Sequence, residues 1–449
     1  LADIAMIIEV RFSRVAVVLT CAAALAILLH APFANGPRYW QWHWERIANP
    51  LLATLAFALA ALPALAAHAV PRKAIAVALV VISVPLLQLS AAALHGGVWI
   101  PTVLDDPSAT GSFTAAEQTM AMRERRPDLE LVPNYDRLLR YFTIHARTKP
   151  LGLVVASRWL LQRFDVSTAA YVFAALLIAL LMLAVWMTYL AVRHLASADA
   201  ALIAATFVAL ASSAVLFFPV ADHAYALFGA LVLGLWPRIH DARAAIAFGL
   251  TVFVFSLFSY AILAIGAFCV VTMFFKRDWL KGALIAAATI AIAYLLLQLS
   301  TGYPALATFR AALREQSKLL PILGRPYPLT IPFDLYDFAI GIGVVPLVLA
   351  IGMLIADRKH RIAVAAALTP LIIALTGLIQ AETARVWFFL VPLVAFPAAL
   401  LLERVSLRQR LLVFAVMIVF TGVAFSEMKF VNLMPPGWRQ RVGAPAAPR

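Results

Sequence analysis

Long apolar stretches recur along almost the whole chain, at 15–33, 51–70, 74–95, 168–192, 200–218, 223–237, 244–275, 282–300, 336–356, 362–380, 385–402 and 411–427. A helix of roughly 17–25 apolar residues crosses the hydrocarbon core of a bilayer, and a spanning helix satisfies its own backbone where water is absent. The pattern predicts an all-α polytopic membrane protein over 1–429, with a short, basic, Pro-rich tail at 430–449. Charged residues make up 13% of the chain, against roughly a quarter in a soluble domain, so a soluble multidomain protein is excluded. The formal charge of +14 then speaks for topology and anionic lipid rather than nucleic acid, since no basic run is interleaved with stacking aromatics. Cys21 and Cys269 lie in separate apolar runs and read as small core residues, not as a disulfide or metal pair. Arg11 and Arg14 before the first apolar run suit a retained signal-anchor helix.

Short connections rich in Lys and Arg stay on the cytoplasmic side. Here they contain Arg72 and Lys73, Arg193, Arg238 and Arg243, Lys276 to Lys281, Arg358 to Arg361, and Arg404 to Arg410. All share one face only if 244–275 crosses twice, with its apex in F-S-L-F-S-Y around Ser256. That gives about thirteen spans, the N-terminus inside and the C-terminus outside. The opposite face then gathers two long polar connections, 96–166 and 301–333, with short turns around Asp222 and Glu382. Any chemistry is expected there.

Five groups of residues carry that expectation, each with a structural alternative. Asp105 and Asp106 open the first loop before P-S-A-T-G; a carboxylate there can deprotonate an acceptor or hold a divalent cation, and can equally cap a turn. The run T-A-A-E-Q-T-M-A-M-R-E-R-R-P-D-L reads as an interfacial amphipathic helix. Next, His145, Arg147 and Lys149 alternate before Pro150, and an extended stretch would turn all three to one face, as a phosphate clamp or as headgroup contacts. Asp222 and His223 start a span, where ionisable groups face cavities or partners, or serve as a structural ion pair or helix cap. In the second loop Arg310 and Arg314 lie one helical turn apart with Lys318 beyond, followed by Arg325 and Tyr327 among prolines. Such a row suits a lipid-linked phosphate or simply a surface helix. Glu382 and Arg385, at i, i+3, can pair with each other or reach inward. No phosphate-loop, dinucleotide, zinc-protease or Cys/His metal motif occurs, and Gly229, Gly234, Gly341 and Gly343 suit close helix packing.

The order of these pieces resembles the GT-C superfold of polytopic glycosyltransferases, which includes protein O-mannosyltransferases and aminoarabinose transferases. Asp105 and Asp106 match the acidic motif that opens their first outer loop. His145-Ala-Arg147-Thr-Lys149-Pro150 is similar to an H-x-R-x-H-P-P segment of some bacterial members, and Glu382-x-x-Arg385-x-Trp387 to a late motif of theirs. Lys149 and Leu151 stand where that segment has His and Pro, and the acidic pair is Asp-Asp rather than the commoner Asp-Glu. The resemblance covers essentially the whole chain through short, degenerate motifs. It implies about 11–13 transmembrane helices with two extracytoplasmic loops carrying interfacial helices, in a bacterial cytoplasmic (inner) membrane. It further implies a polyprenyl-phosphate-linked sugar donor, a glycan, lipid or protein acceptor, and an active site facing outward.

On that reading the donor phosphate lies against Arg147, Lys149, Arg310, Arg325 or Arg385, and Asp105 or Asp106 activates the acceptor for an inverting displacement. Two other classes stay open: a transporter or flippase of lipid-linked sugars, and a non-catalytic protein of the same fold. The spans show no evident internal repeat and almost no mid-span charge, which weighs against transport.

Overall fold

A computed structural model describes residues 2–36, 42–125, 130–322, 327–380, 382–431 and 433. The chain is an all-α polytopic membrane protein; among the described residues, eight helices are long and apolar enough to cross a membrane, or nine with one bent pair counted as a span. The count falls below thirteen because several apolar runs form helices that are short or bent. The run at 223–237 yields helix Tyr225–Leu235 and a 3-10 turn, and that at 362–380 yields Arg361–Thr376. The run at 336–356 belongs to Thr330–Ile342 and Val345–Ala356, bent by 113°. Gly343 (φ +86°) and Val344 (φ +61°) make that bend, and a non-glycine residue at positive φ persists only where its surroundings impose it.

Side-chain caps set many helix starts. Asn49, Asp165, Ser197 and Asp241 each accept a backbone N–H from the first turn, and Ser406 forms a capping box with Gln409, satisfying donors that have no partner within the helix. Two helices, Ala198–Leu216 and Thr383–Leu402, are almost wholly enclosed by the others. By contrast, Leu280–Thr301 leans on Ala242–Ser256 and leaves most of its surface outward, as a helix solvated by lipid tails does.

The two ends of the bundle differ in chemistry. At one end Lys73 pairs with Asp199 (2.6 Å), Arg404 with Asp357 (3.4 Å), and Arg361 donates to the Phe275 carbonyl (2.9 Å). Gly282 lies against the Ile239 carbonyl at this same end, while the break at 257–259 is tied to the far end by the Gly152 N–H donating to the Leu257 oxygen. The stretch 244–275 therefore doubles back as Ala242–Ser256 and Tyr260–Phe275. Its apex is where F-S-L-F-S-Y places it.

Close backbone approach sets some positions absolutely. A Cβ on Gly229 would stand 1.9 Å from the Phe389 carbonyl oxygen, a backbone atom of the enclosed helix region. Gly229→Ala is expected to push these helices apart and cost about 1–3 kcal/mol, the usual range for overpacking. Loss of monodisperse protein on size exclusion, absent for Gly266→Ala in open space, checks this.

Candidate active site

The charged residues meet at the end away from the Lys73 and Asp199 pair, where the two enclosed helices terminate. Asp222 lies in the turn after Ala198–Leu216, and Glu382 and Arg385 open Thr383–Leu402. The Arg385 guanidinium, 11% exposed, holds three groups together. Its Nε is 3.5 Å from Asp222 Oδ2, its Nη2 pairs with the Glu382 carboxylate, and its Nη1 donates to the Ala109 carbonyl at 3.2 Å. The last contact ties the turn after Asp106 to the Arg385 turn, so two regions more than 270 residues apart in sequence form one wall. Asp222 Oδ2 and Arg385 Nε are buried within ion-pair range, yet neither makes a hydrogen bond. Such a pair can rearrange around a ligand oxygen.

His145 and Lys149 complete the cluster and feel the charges of Asp222, Glu382 and Arg385. Burial pulls the Lys149 ammonium below its usual range, and the Asp222 carboxylate opposes this. Burial likewise lowers the His145 imidazole to about 4, so at neutral pH it carries no charge. The unfolded chain takes up that proton below about 6.5 while the folded chain refuses it until about 4. His145 thus makes the fold less stable as pH falls between those values. His145→Gln should flatten the thermal-unfolding midpoint between pH 7.5 and 4.5 relative to wild type; an unchanged slope would remove His145 as its source.

The stretch around His145 is not extended. Ile144–Arg147 is a helical turn, which puts Arg147 on a different side from His145, and Lys149 lies in the bend that follows it. Arg147 Nε instead donates to the Phe142 carbonyl at 2.6 Å. Several other expected site residues serve the fold. Asp106 is buried and its Oδ1 accepts the Ser108 N–H (2.8 Å) and hydroxyl (2.5 Å), the turn-capping alternative. Asp105 ends helix Trp99–Asp105 beside that turn. The His223 ring is buried between the Val220 and Ser213 carbonyls, 2.7 and 2.9 Å from its two nitrogens. Arg310 and Arg314 are exposed on Ala305–Ile322, which packs on Tyr135–Leu138 and not on the Arg385 turn. Tyr327 donates to the Leu375 carbonyl at 2.7 Å, and Arg325 lies outside the described residues. Among the described residues, no group of three or more His, Cys, Asp or Glu is arranged to hold a metal ion.

Two features escaped the sequence reading. The first is Asp337, buried in Thr330–Ile342, which accepts from Trp42 Nε1 (3.0 Å) and from the Ala384 N–H (2.9 Å), with the Thr383 hydroxyl at 3.1 Å. It fixes the backbone that presents Arg385 and holds Glu382 at φ +51°. A carboxylate three residues after Asp334 in an otherwise apolar helix is a signal the sequence does carry. The second is a cleft of about 60 Å³ whose polar side is Ser108, His145, Glu382 and Arg385. Its other side is aromatic: Trp42, Phe217 and Phe430 pack together with ring centroids 4.7–5.8 Å apart. Phe430 arrives there because the strand Met428–Lys429 pairs antiparallel with His43–Trp44, so what reads as the start of a tail is buried. Comparison with family models, with curated proteins and with solved structures returns no match for this chain.

Proposed function

We propose that the protein is a GT-C-like glycosyltransferase of a bacterial inner membrane, moving a sugar from a polyprenyl-phosphate donor to an acceptor on the extracytoplasmic face. The observation that carries this reading is the gathering of Lys149, Arg385, Asp222, Glu382 and His145 at the end opposite the basic connections. Two cations and two carboxylates in a partly desolvated setting suit a reaction in which charge moves from a sugar to a leaving phosphate. Lys149 and Arg385 face the donor phosphate, Arg385 with a planar fork that matches its oxygens. The acceptor oxygen attacks the anomeric carbon, and the bond from that carbon to the phosphate oxygen breaks. The lipid phosphate leaves with the bonding pair, and a carboxylate takes the acceptor proton. Asp105, at the end of its helix beside the Asp106 turn, and Glu382, beside Arg385, are assigned that task. Attack opposite the leaving group inverts configuration.

One observation favours a second reading. The 113° break between Thr330–Ile342 and Val345–Ala356, with buried Asp334 and Asp337, is the kind of discontinuous helix that builds transporter sites. Asp337 spends its oxygens on Trp42, Thr383 and Ala384, which makes it a brace rather than a ligand group. Sealed proteoliposomes loaded with polyprenyl-phosphate mannose or arabinose separate the two. Sugar passing from lipid to an added envelope acceptor supports transfer; intact donor appearing on the other leaflet without bond cleavage overturns it in favour of transport.

A further inference from the structure

We infer that the cleft between the Arg385 turn and the end of the described chain is a subsite for the donor's sugar ring, with Trp42, Phe217 and Phe430 as its stacking wall. The inference rests on the transferase reading and adds to it which residues select the sugar. A lipid chain needs only an apolar wall, and a phosphate only a polar one. This cleft has both: three aromatic rings packed on one another, and the polar groups of Ser108, His145, Glu382 and Arg385. A sugar ring has that same division, C–H groups on its faces and hydroxyls on its rim. Aromatic rings take the faces, while a carboxylate and a guanidinium accept from and donate to the rim.

The cleft is small as it stands. Its roughly 60 Å³ falls short of the about 300–1,000 Å³ of ligand pockets, so one wall moves before a ring enters. Most of the walls belong to packed helices and braced turns. Phe430 and Val431 do not: they follow a short pairing, His43 with Lys429 and Trp44 with Met428, continued by the Glu45 and Ile47 N–H groups donating to the Glu427 and Ser426 carbonyls, and so short a ribbon holds less firmly than packed helices. The Lys429 and Glu45 ion pair beside it (2.8 Å) is part-exposed and adds little. These two residues are the hinged side of the subsite.

Equilibrium binding to the full chain in nanodiscs tests this, using polyprenyl-phosphate mannose, polyprenyl-phosphate arabinose and sugar-free polyprenyl phosphate. Phe430→Ala and Phe217→Leu are expected to weaken the better-bound sugar lipid about tenfold or more, and to leave the sugar-free lipid within about twofold. Equal loss for all three lipids, or no loss for any, overturns the subsite. If wild type binds the sugar-free lipid as tightly as the sugar lipids, the subsite fails while the phosphate site stands; if it binds none of the three, the transferase reading fails too. In a Cys21→Ser background, H43C/K429C joins directly paired positions, whose Cα separation in an antiparallel pair suits a disulfide. The oxidised form should lose sugar-lipid binding and dithiothreitol should restore it; unchanged binding when oxidised overturns the hinged wall.

Discussion

Arg385→Ala is expected to abolish activity and to lower stability by about 3–5 kcal/mol, the usual cost of removing one partner of a buried ion pair. Arg385 is the point where three chain regions meet: Asp222 from the turn after one enclosed helix, Glu382 from its own turn, and Ala109 from the first loop. Without it, the Asp222 carboxylate, 4% exposed, is left in a poorly solvated place with Lys149 as the remaining cation near it. Arg385→Lys restores charge but not the fork, so it cannot serve Asp222, Glu382 and the Ala109 carbonyl together. It should recover folding more than turnover. Arg385→Ala in an Asp222→Asn background should be less destabilising than Arg385→Ala alone, because the stranded charge is gone. Additive losses in that double-mutant cycle would show that the two side chains do not interact.

Asp337→Ala is expected to be nearly as damaging, though Asp337 touches no substrate in the proposed mechanism. It strands the Trp42 indole N–H and the Ala384 N–H, while the Thr383 hydroxyl keeps its bond to the Asp334 carbonyl. Each buried donor left without an acceptor costs about 1–3 kcal/mol. Asp337→Asn fares little better, because donors approach both carboxylate oxygens and an amide presents one oxygen and an NH2. The left-handed backbone at Glu382 (φ +51°) then loses its brace and relaxes. The prediction is a fall in melting temperature for both variants and, in protein that still folds, weaker donor binding through a misplaced Arg385. Wild-type stability in Asp337→Asn would show that the carboxylate is not the brace.

Much of this architecture is written in the sequence because bilayer physics is coarse. Apolar run length marks the spans, and the Lys and Arg connections predict a common face, which the Lys73–Asp199, Arg404–Asp357 and Arg361–Phe275 contacts gather at one end. The same charge rule required 244–275 to double back, and the chain does turn at 257–259. Convergence of Lys149, Asp222, Glu382 and Arg385 follows from that topology. What the sequence hid depends on finer geometry. Alternation of His145, Arg147 and Lys149 reads equally as strand or helix over five residues, and the helical turn removes Arg147 from the group. Asp106 carries the turn signal in D-P-S, but a turn and a base use the same residue type. Trp42 and Phe430 come together through a two-residue pairing, too short to leave a periodic pattern. Apolar content also overcounts spans where Gly343 and Val344 bend a helix midway.

In the proposed reaction the charged cluster around Arg385 transfers a sugar from a lipid phosphate. Its most direct test follows radiolabelled sugar from polyprenyl-phosphate donor to acceptor with purified wild type, Lys149→Met, Arg385→Lys and Asp105→Asn, all shown to fold by melting temperature. Expected is transfer by wild type with inverted anomeric configuration, and a loss of about 100-fold or more in each of the three variants, the scale of removing one electrostatic or acid–base group from a reacting centre. Wild type that leaves the donor bond intact, or Arg385→Lys and Lys149→Met that both transfer at the wild-type rate, would contradict it.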